Sequence, residues 1–195
     1  MKQQKDMLLL LANLQCYINM NSMKEIGIEK VTLNIGVGKP GKELEKGKIL
    51  LAKITDMKPT ETRTTKRIPG WSLRPNLVIG CKVTVRGERA KEVLKNLLGA
   101  KENILSHRAF DKQGNFAFGL AEYLDIPTLD YIPEVGMMGL EVSITLQRKG
   151  YRIKKRTLKA RKIPQRHRIT KEEAINYAKE NFGVLIKEEV EEEEE

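Results

Sequence analysis

The chain has 195 residues, 40% of them apolar, enough for one hydrophobic core; this excludes a disulfide-stapled miniprotein and a wholly disordered chain. Its net charge of +10 understates the body, because seven acids fall in the last nine residues and residues 1–186 carry 35 Lys and Arg against 19 Asp and Glu, or +16. A body this basic attracts polyanions, so nucleic acid is the leading partner class.

Cys16 and Cys81, like His107 and His167, lie too far apart for a metal centre or a secreted disulfide framework. That points to a reducing cytosol, with no cofactor or metal. Both histidines read as ordinary surface or RNA-facing groups. At the start, Lys2 and Lys5 precede the apolar run 7–11, which superficially resembles a signal peptide. The run is too short to cross a membrane, Asn13 and Gln15 follow it, and no small-residue cleavage site appears. Residues 1–22 are therefore expected to be an extension. They form either an amphipathic helix or an upstream stretch before a start at Met20 or Met23, the second being preferred because regular patterning begins near Lys24. One main domain is expected over 23–186, in halves of about 23–77 and 78–186, followed by an acidic, disordered tail at 187–195.

Lys30 to Val37 alternates Val31, Leu33, Ile35 and Val37 with Lys30, Thr32 and Asn34, the pattern of a half-buried strand with a polar outer face. Gly36, Gly38 and Gly41 then fit G-x-G-x-x-G, the turn that cradles a pyrophosphate in NAD-dependent oxidoreductases. The polar segment Pro59 to Thr65 argues against that reading, since a buried parallel strand is apolar. Between them, Lys42 to Met57 predicts a helix with Leu44, Leu51 and Ile54 on one stripe, flanked by Leu50 and Met57 and stopped by Pro59.

The loop from Lys66 to Arg74 carries Lys66, Arg67 and Arg74 and no acid, and it displays the only Trp, Trp71, beside Pro69 and Gly70. Its polarity and its punctuating residues place it in solvent with an exposed ring. A strand follows, with Val83 and Val85 facing inward while Lys82, Thr84 and Arg86 share the other face. Cations, hydroxyls and an aromatic ring brought together suit a phosphate backbone and unpaired bases. Gly87 to Gly99 predicts a second helix on Ala90, Val93, Leu94, Leu97 and Leu98. Phe110 and Phe116 flank the turn sequence Asp111 to Gly114, predicting a hairpin. Ile126 to Gly139 reads as loop, and Leu140 to Gln147 as a strand with one apolar and one polar face.

Arg148 to Lys171 holds twelve Lys or Arg, one His and no acid. Self-repulsion predicts that a polyanion is needed to order it. Thr170 and Glu173 then form a capping box for a helix that turns Ala174, Ile175, Ala178 and Phe182 inward and stops at Gly183.

Six of these stretches, in one register, resemble a known family: Thr32 to Gly38, Met57 to Pro59, Thr65 to Pro75, Ile79 to Arg89, Phe110 to Gly119 and Ile126 to Ile144. Together they resemble the universal large-subunit ribosomal proteins that bind 5S rRNA, numbered five in the bacterial series. Gly150 to Ala174 is similar to the archaeal and eukaryotic branch. Where bacterial members carry Ala-Gly-Phe, this chain has Pro69-Gly70-Trp71, and Lys101 to His107 departs from the bacterial pattern.

The resemblance implies an α+β fold, a mostly antiparallel sheet backed by helices on one face, with a long mobile basic loop. It implies a non-enzymatic place in the cytoplasmic ribosome, at the central protuberance. Implied partners are 5S rRNA, large-subunit rRNA, P-site tRNA, neighbouring large-subunit proteins and a small-subunit head protein across an intersubunit bridge, with no membrane. On this chain it implies 5S rRNA contacts at Lys30, Thr32, Asn34, Trp71, Lys82 and Thr84, and a tRNA-facing loop with Lys66, Arg67, Gly70 and Arg74. Other rRNA contacts would come from Arg152, Lys154, Lys155, Arg156, Arg161, Lys162, Arg166 and Arg168.

Overall fold

A computed structural model describes residues 21–187. The expectations for the N-terminal extension, including Cys16 and a start at Met20, and for the Glu-rich tail beyond Lys187 fall outside these residues. In chain order the elements are β1 (Ile26–Gly36), α1 (Lys42–Thr55), β2 (Thr60–Arg63), β3 (Val78–Val85), α2 (Glu88–Gly99) and β4 (Ile104–Ser106). They continue with β5 (Phe116–Leu120), β6 (Leu140–Arg148), a one-turn α3 (Arg152–Lys155), α4 (Lys171–Phe182) and β7 (Leu185–Lys187). Five strands form one sheet in the order β2-β3-β1-β6-β5, in which β2–β3, β3–β1 and β5–β6 are antiparallel. The fold is α+β.

The chain divides into two compact units. The larger comprises Ile28–Leu146 and the chain from Thr170; the smaller comprises the chain up to Gly27 and Gln147–Ile169. Period-two alternation builds the larger unit's core. Val31, Leu33 and Ile35 of β1, Cys81, Val83 and Val85 of β3, and Leu140, Val142, Ile144 and Leu146 of β6 are all buried. Helix α1 lies close on this face: a Cβ at Gly47 would stand 3.1 Å from Cys81 Sγ and 3.5 Å from Ile35 Cγ2. A side chain there would press on Cys81, and glycine leaves that contact relaxed. Helix α2 adds Ala90, Leu94, Leu97 and Leu98 to the core, and α4 adds Ala174 and Ala178 behind the expected Thr170–Glu173 capping box.

Several boundaries differ from the sequence reading. Helix α1 ends at Thr55 because Asp56 takes a left-handed conformation and returns its N–H to Ala52, so Met57 is outside the helix and exposed. The polar Thr60–Arg63 is a strand. It pairs with β3 at the sheet edge, where no second layer demands apolar side chains, and Lys48 Nζ holds Glu61 Oε1 at 2.6 Å. Strand β1 lies beside β3 and antiparallel to it, so the turn at Gly36–Gly41 lacks the parallel crossover of a dinucleotide fold. The parallel pair β4–β7 went unpredicted, since three-residue strands carry no readable period. The hairpin around Asp111 is present, closed by a Phe110–Phe116 bridge whose rings stack at 5.0 Å.

The smaller unit corrects the expectation that Arg148 to Lys171 cannot pack on itself. Ile163 and Ile169 are buried, the Tyr151 hydroxyl donates to His167 O at 3.1 Å, and the two rings meet edge-on at 5.8 Å. His167 Nε2 lies 2.9 Å from Lys149 O, so this half-buried ring ties the two ends of the segment together. Ile163 and Ile169, with half-buried Tyr151 and Ile153, anchor the segment; its cations from Arg152 to Arg168 are exposed, whereas Arg148 at its start is buried. Lys149 also pairs with Glu25.

Candidate nucleic-acid interface

The solvent face of the sheet follows from the same alternation that buries the core. Register pairs Thr32 with Thr84 and Asn34 with Lys82 across β1 and β3, and Lys82 with Thr60 across β2. Residues directly opposite share a face, so the predicted set of Thr32, Asn34, Lys82 and Thr84 forms one continuous patch. Lys30 has the same parity on β1. Lys82 is exposed, and Lys30, Thr32, Asn34 and Thr84 are half-buried among their neighbours.

An acid also enters the patch. Asn34 Nδ2 donates to Glu141 Oε2 at 3.0 Å, bringing the polar side of β6 onto the same surface. The sequence showed Glu141, Ser143 and Thr145 on a polar face but held no sign that β6 would neighbour β1. At the far edge, the Lys48 ammonium beside Glu61 holds its carboxyl below the usual value of 4.5, with a smaller contribution from Arg63.

The basic loop is an arm extending the β2–β3 hairpin. Thr64 and Leu77 continue the pairing, Asn76 N–H donates to Thr64 O, and Ile68 and Leu73 exchange both backbone hydrogen bonds at 3.1 Å. That bridge closes a tip of Pro69–Gly70–Trp71–Ser72, turned by a left-handed Ser72. Trp71 is 72% exposed, so its ring is no core anchor. Lys66, Arg67, Gly70 and Arg74 are exposed on the same arm. Trp71 therefore groups with the arm, several residues of hairpin away from Lys82. In the smaller unit, Arg152, Lys154, Lys155, Arg156, Arg161, Lys162, Arg166 and Arg168 are all exposed.

Two family models match this chain: "Ribosomal protein L5" over residues 21–74, and the model for the C-terminus of the same ribosomal family over residues 78–177. The chain belongs to the ribosomal protein L5 family. Relatives include large ribosomal subunit proteins uL5 of Nanoarchaeum equitans, 47% identical over 84% of this chain and 97% of the relative, and of Sulfolobus acidocaldarius, 46% identical over 85% and 93%. The corresponding protein of Methanosphaera stadtmanae is 43% identical over 86% of this chain and 99% of its own length. The chain is of the archaeal type. Proteins of this family are structural and non-enzymatic. No helix among the described residues is long and apolar enough to cross a membrane.

Proposed function

We propose that this chain, a structural constituent of the large ribosomal subunit, binds 5S rRNA and large-subunit rRNA in the central protuberance and reaches P-site tRNA with its basic arm. The observation that carries the reading is the cross-strand placement of Thr32 with Thr84 and Asn34 with Lys82 on an open sheet face. Lys30 and Lys82 position phosphates, while Thr32, Thr84 and Asn34 meet ribose hydroxyls or base edges. Lys66, Arg67 and Arg74 track a tRNA backbone, Gly70 lets it approach the arm closely, and the Trp71 ring offers a base a stacking surface worth roughly 1 to 3 kcal/mol. The exposed cations of the smaller unit, from Arg152 to Arg168, hold large-subunit rRNA.

A separate surface suits a protein partner across the subunit interface. Residues 121–139 hold Glu122, Asp125, Asp130 and Glu134 with no Lys or Arg, and Tyr131 and Met137 there are each 57% exposed. An acidic, apolar loop repels RNA and fits a basic head protein of the small subunit. The test is co-sedimentation of the native protein with large subunits and its release by salt together with 5S rRNA. Labelled 5S rRNA retained on filters in the presence of excess duplex DNA is the expected companion result. Equal displacement by duplex DNA would identify a general polyanion binder and defeat the 5S reading.

A further inference from the structure

The smaller unit carries a hollow that neither the sheet face nor the arm accounts for. Helix α3 lasts one turn, and Arg156 N–H donates to Arg152 O at its end. The chain then doubles back: Arg156 Nε donates to Lys159 O at 2.9 Å, Lys159 takes a left-handed φ of 51°, and Arg161 N–H donates to Ile153 O at 3.1 Å. This closed turn lifts Leu158 to its tip, where it is 81% exposed, the most exposed large apolar side chain among the described residues. Beside it lies a hollow of about 490 Å³ lined by Gly150, Arg152, Ile153, Arg156, Thr157 and Leu158.

Its chemistry is specific. Ile153 and Leu158 supply apolar surface, Thr157 a hydroxyl, and Gly150 room. Arg152 and Arg156 carry planar guanidinium groups, and Arg156 keeps further donors beyond the Nε that fixes the turn. Apolar contact, flat cations and one small hydrogen-bonding group in one recess suit a nucleobase withdrawn from its stack. A leucine held out in water by a braced turn has no folding role there, whereas an apolar wedge beside phosphate-binding cations has one in RNA recognition. An acidic peptide would satisfy the arginines, but it would leave the recess itself without a flat occupant.

We infer that this hollow is a seat for a single unpaired base of RNA, with Leu158 as the apolar wedge and Arg152 and Arg156 on the flanking phosphates. The inference rests on the RNA-binding reading of the preceding section and adds a base-binding site to it. Stacking of this kind tolerates any base, so a generic probe suffices. The full chain is titrated against an RNA hairpin carrying one bulged 2-aminopurine and against the same hairpin without the bulge.

Wild type is expected to bind the bulged hairpin about tenfold more tightly and to change the 2-aminopurine fluorescence. Leu158→Ala binds both hairpins alike, and Leu158→Phe keeps the preference. Because Leu158 is a solvent-exposed tip, its truncation leaves the fold intact, which circular dichroism verifies. Equal binding of the two hairpins by wild type would overturn the inference, as would a bulge preference that survives in Leu158→Ala. Retention of 5S rRNA, measured on the same preparations, separates the two readings. Wild type that retains 5S rRNA but shows no bulge preference overturns only the base seat, while wild type that binds none of these RNAs overturns the parent reading with it.

Discussion

Lys82→Ala removes one exposed cation from the middle of the sheet's solvent face and leaves the core beneath untouched, since Cys81 and Val83 point the other way. Lys82 faces Asn34 on one side and Thr60 on the other, and none of the ion pairs among the described residues uses it. Its whole charge is thus available to a phosphate. A cation that neutralises one phosphate contributes about 0.7 to 0.9 to the slope of log affinity against log salt. The variant's slope is therefore shallower by that amount, and its deficit against wild type shrinks about threefold over a fourfold rise in salt.

Thr84→Ala supplies the neutral control two residues along the same face. It loses about one hydrogen bond, roughly 0.5 to 1.5 kcal/mol, and keeps the wild-type slope because no counterion is involved. Filter retention of labelled 5S rRNA across a salt series reads both quantities, with circular dichroism to verify the fold. Parallel lines for wild type and Lys82→Ala would refute the assignment of this face to phosphate, whatever the absolute affinities.

Glu141→Gln removes the one carboxylate bonded to the patch through Asn34, and 5S rRNA affinity is expected to rise a few-fold; unchanged or weaker binding would put that end of the face outside the contact. Leu33→Ala deletes a fully buried side chain beneath the patch and is expected to cost about 2 to 5 kcal/mol in urea unfolding, a loss under about 1 kcal/mol contradicting the packing described. Glu61 titrates below 4.5 because Lys48 bonds to its charged form. A depressed carboxyl contributes stability above its unfolded pKa that is lost as pH falls through the folded value. Lys48→Met should return the Glu61 midpoint, followed by carboxyl NMR shifts, toward 4.5; an unmoved midpoint would rule out the ion pair as the cause.

What the sequence made legible was whatever repeats along the chain. Val31, Leu33 and Ile35, like Leu140, Val142 and Ile144, announce a buried face by alternation, and the outward identity of Thr32, Asn34, Lys82 and Thr84 follows from parity alone. Thr170 and Glu173 announce a helix start by a local bond that needs no tertiary context. The sequence could not supply neighbourhood. Nothing in residues 140–147 says that they lie beside β1, so the Asn34–Glu141 bond was out of reach. Thr60–Arg63 is a strand only because β3 offers it a ladder, and in isolation its composition argues the opposite. The basic segment misled for a related reason. Counting charge over Arg148 to Lys171 hid Tyr151, Ile153, Ile163 and Ile169, four residues spaced irregularly enough to escape any periodic template yet sufficient to anchor a fold.

The sheet uses one alternation twice, and this makes binding and stability separable in a way a helical reader would not. In β1 Val31 and Leu33 each sit between residues of the candidate interface, so Leu33→Ala and Thr32→Ala act on opposite faces of the same strand. A slip of one residue would exchange the two faces, exposing Val31, Leu33 and Ile35 and burying Lys30 and Asn34. The register that holds the core together is thus the same constraint that assembles Thr32, Thr84, Asn34 and Lys82. Interface geometry here needs no separate device: it is fixed by the free energy of burying the other side.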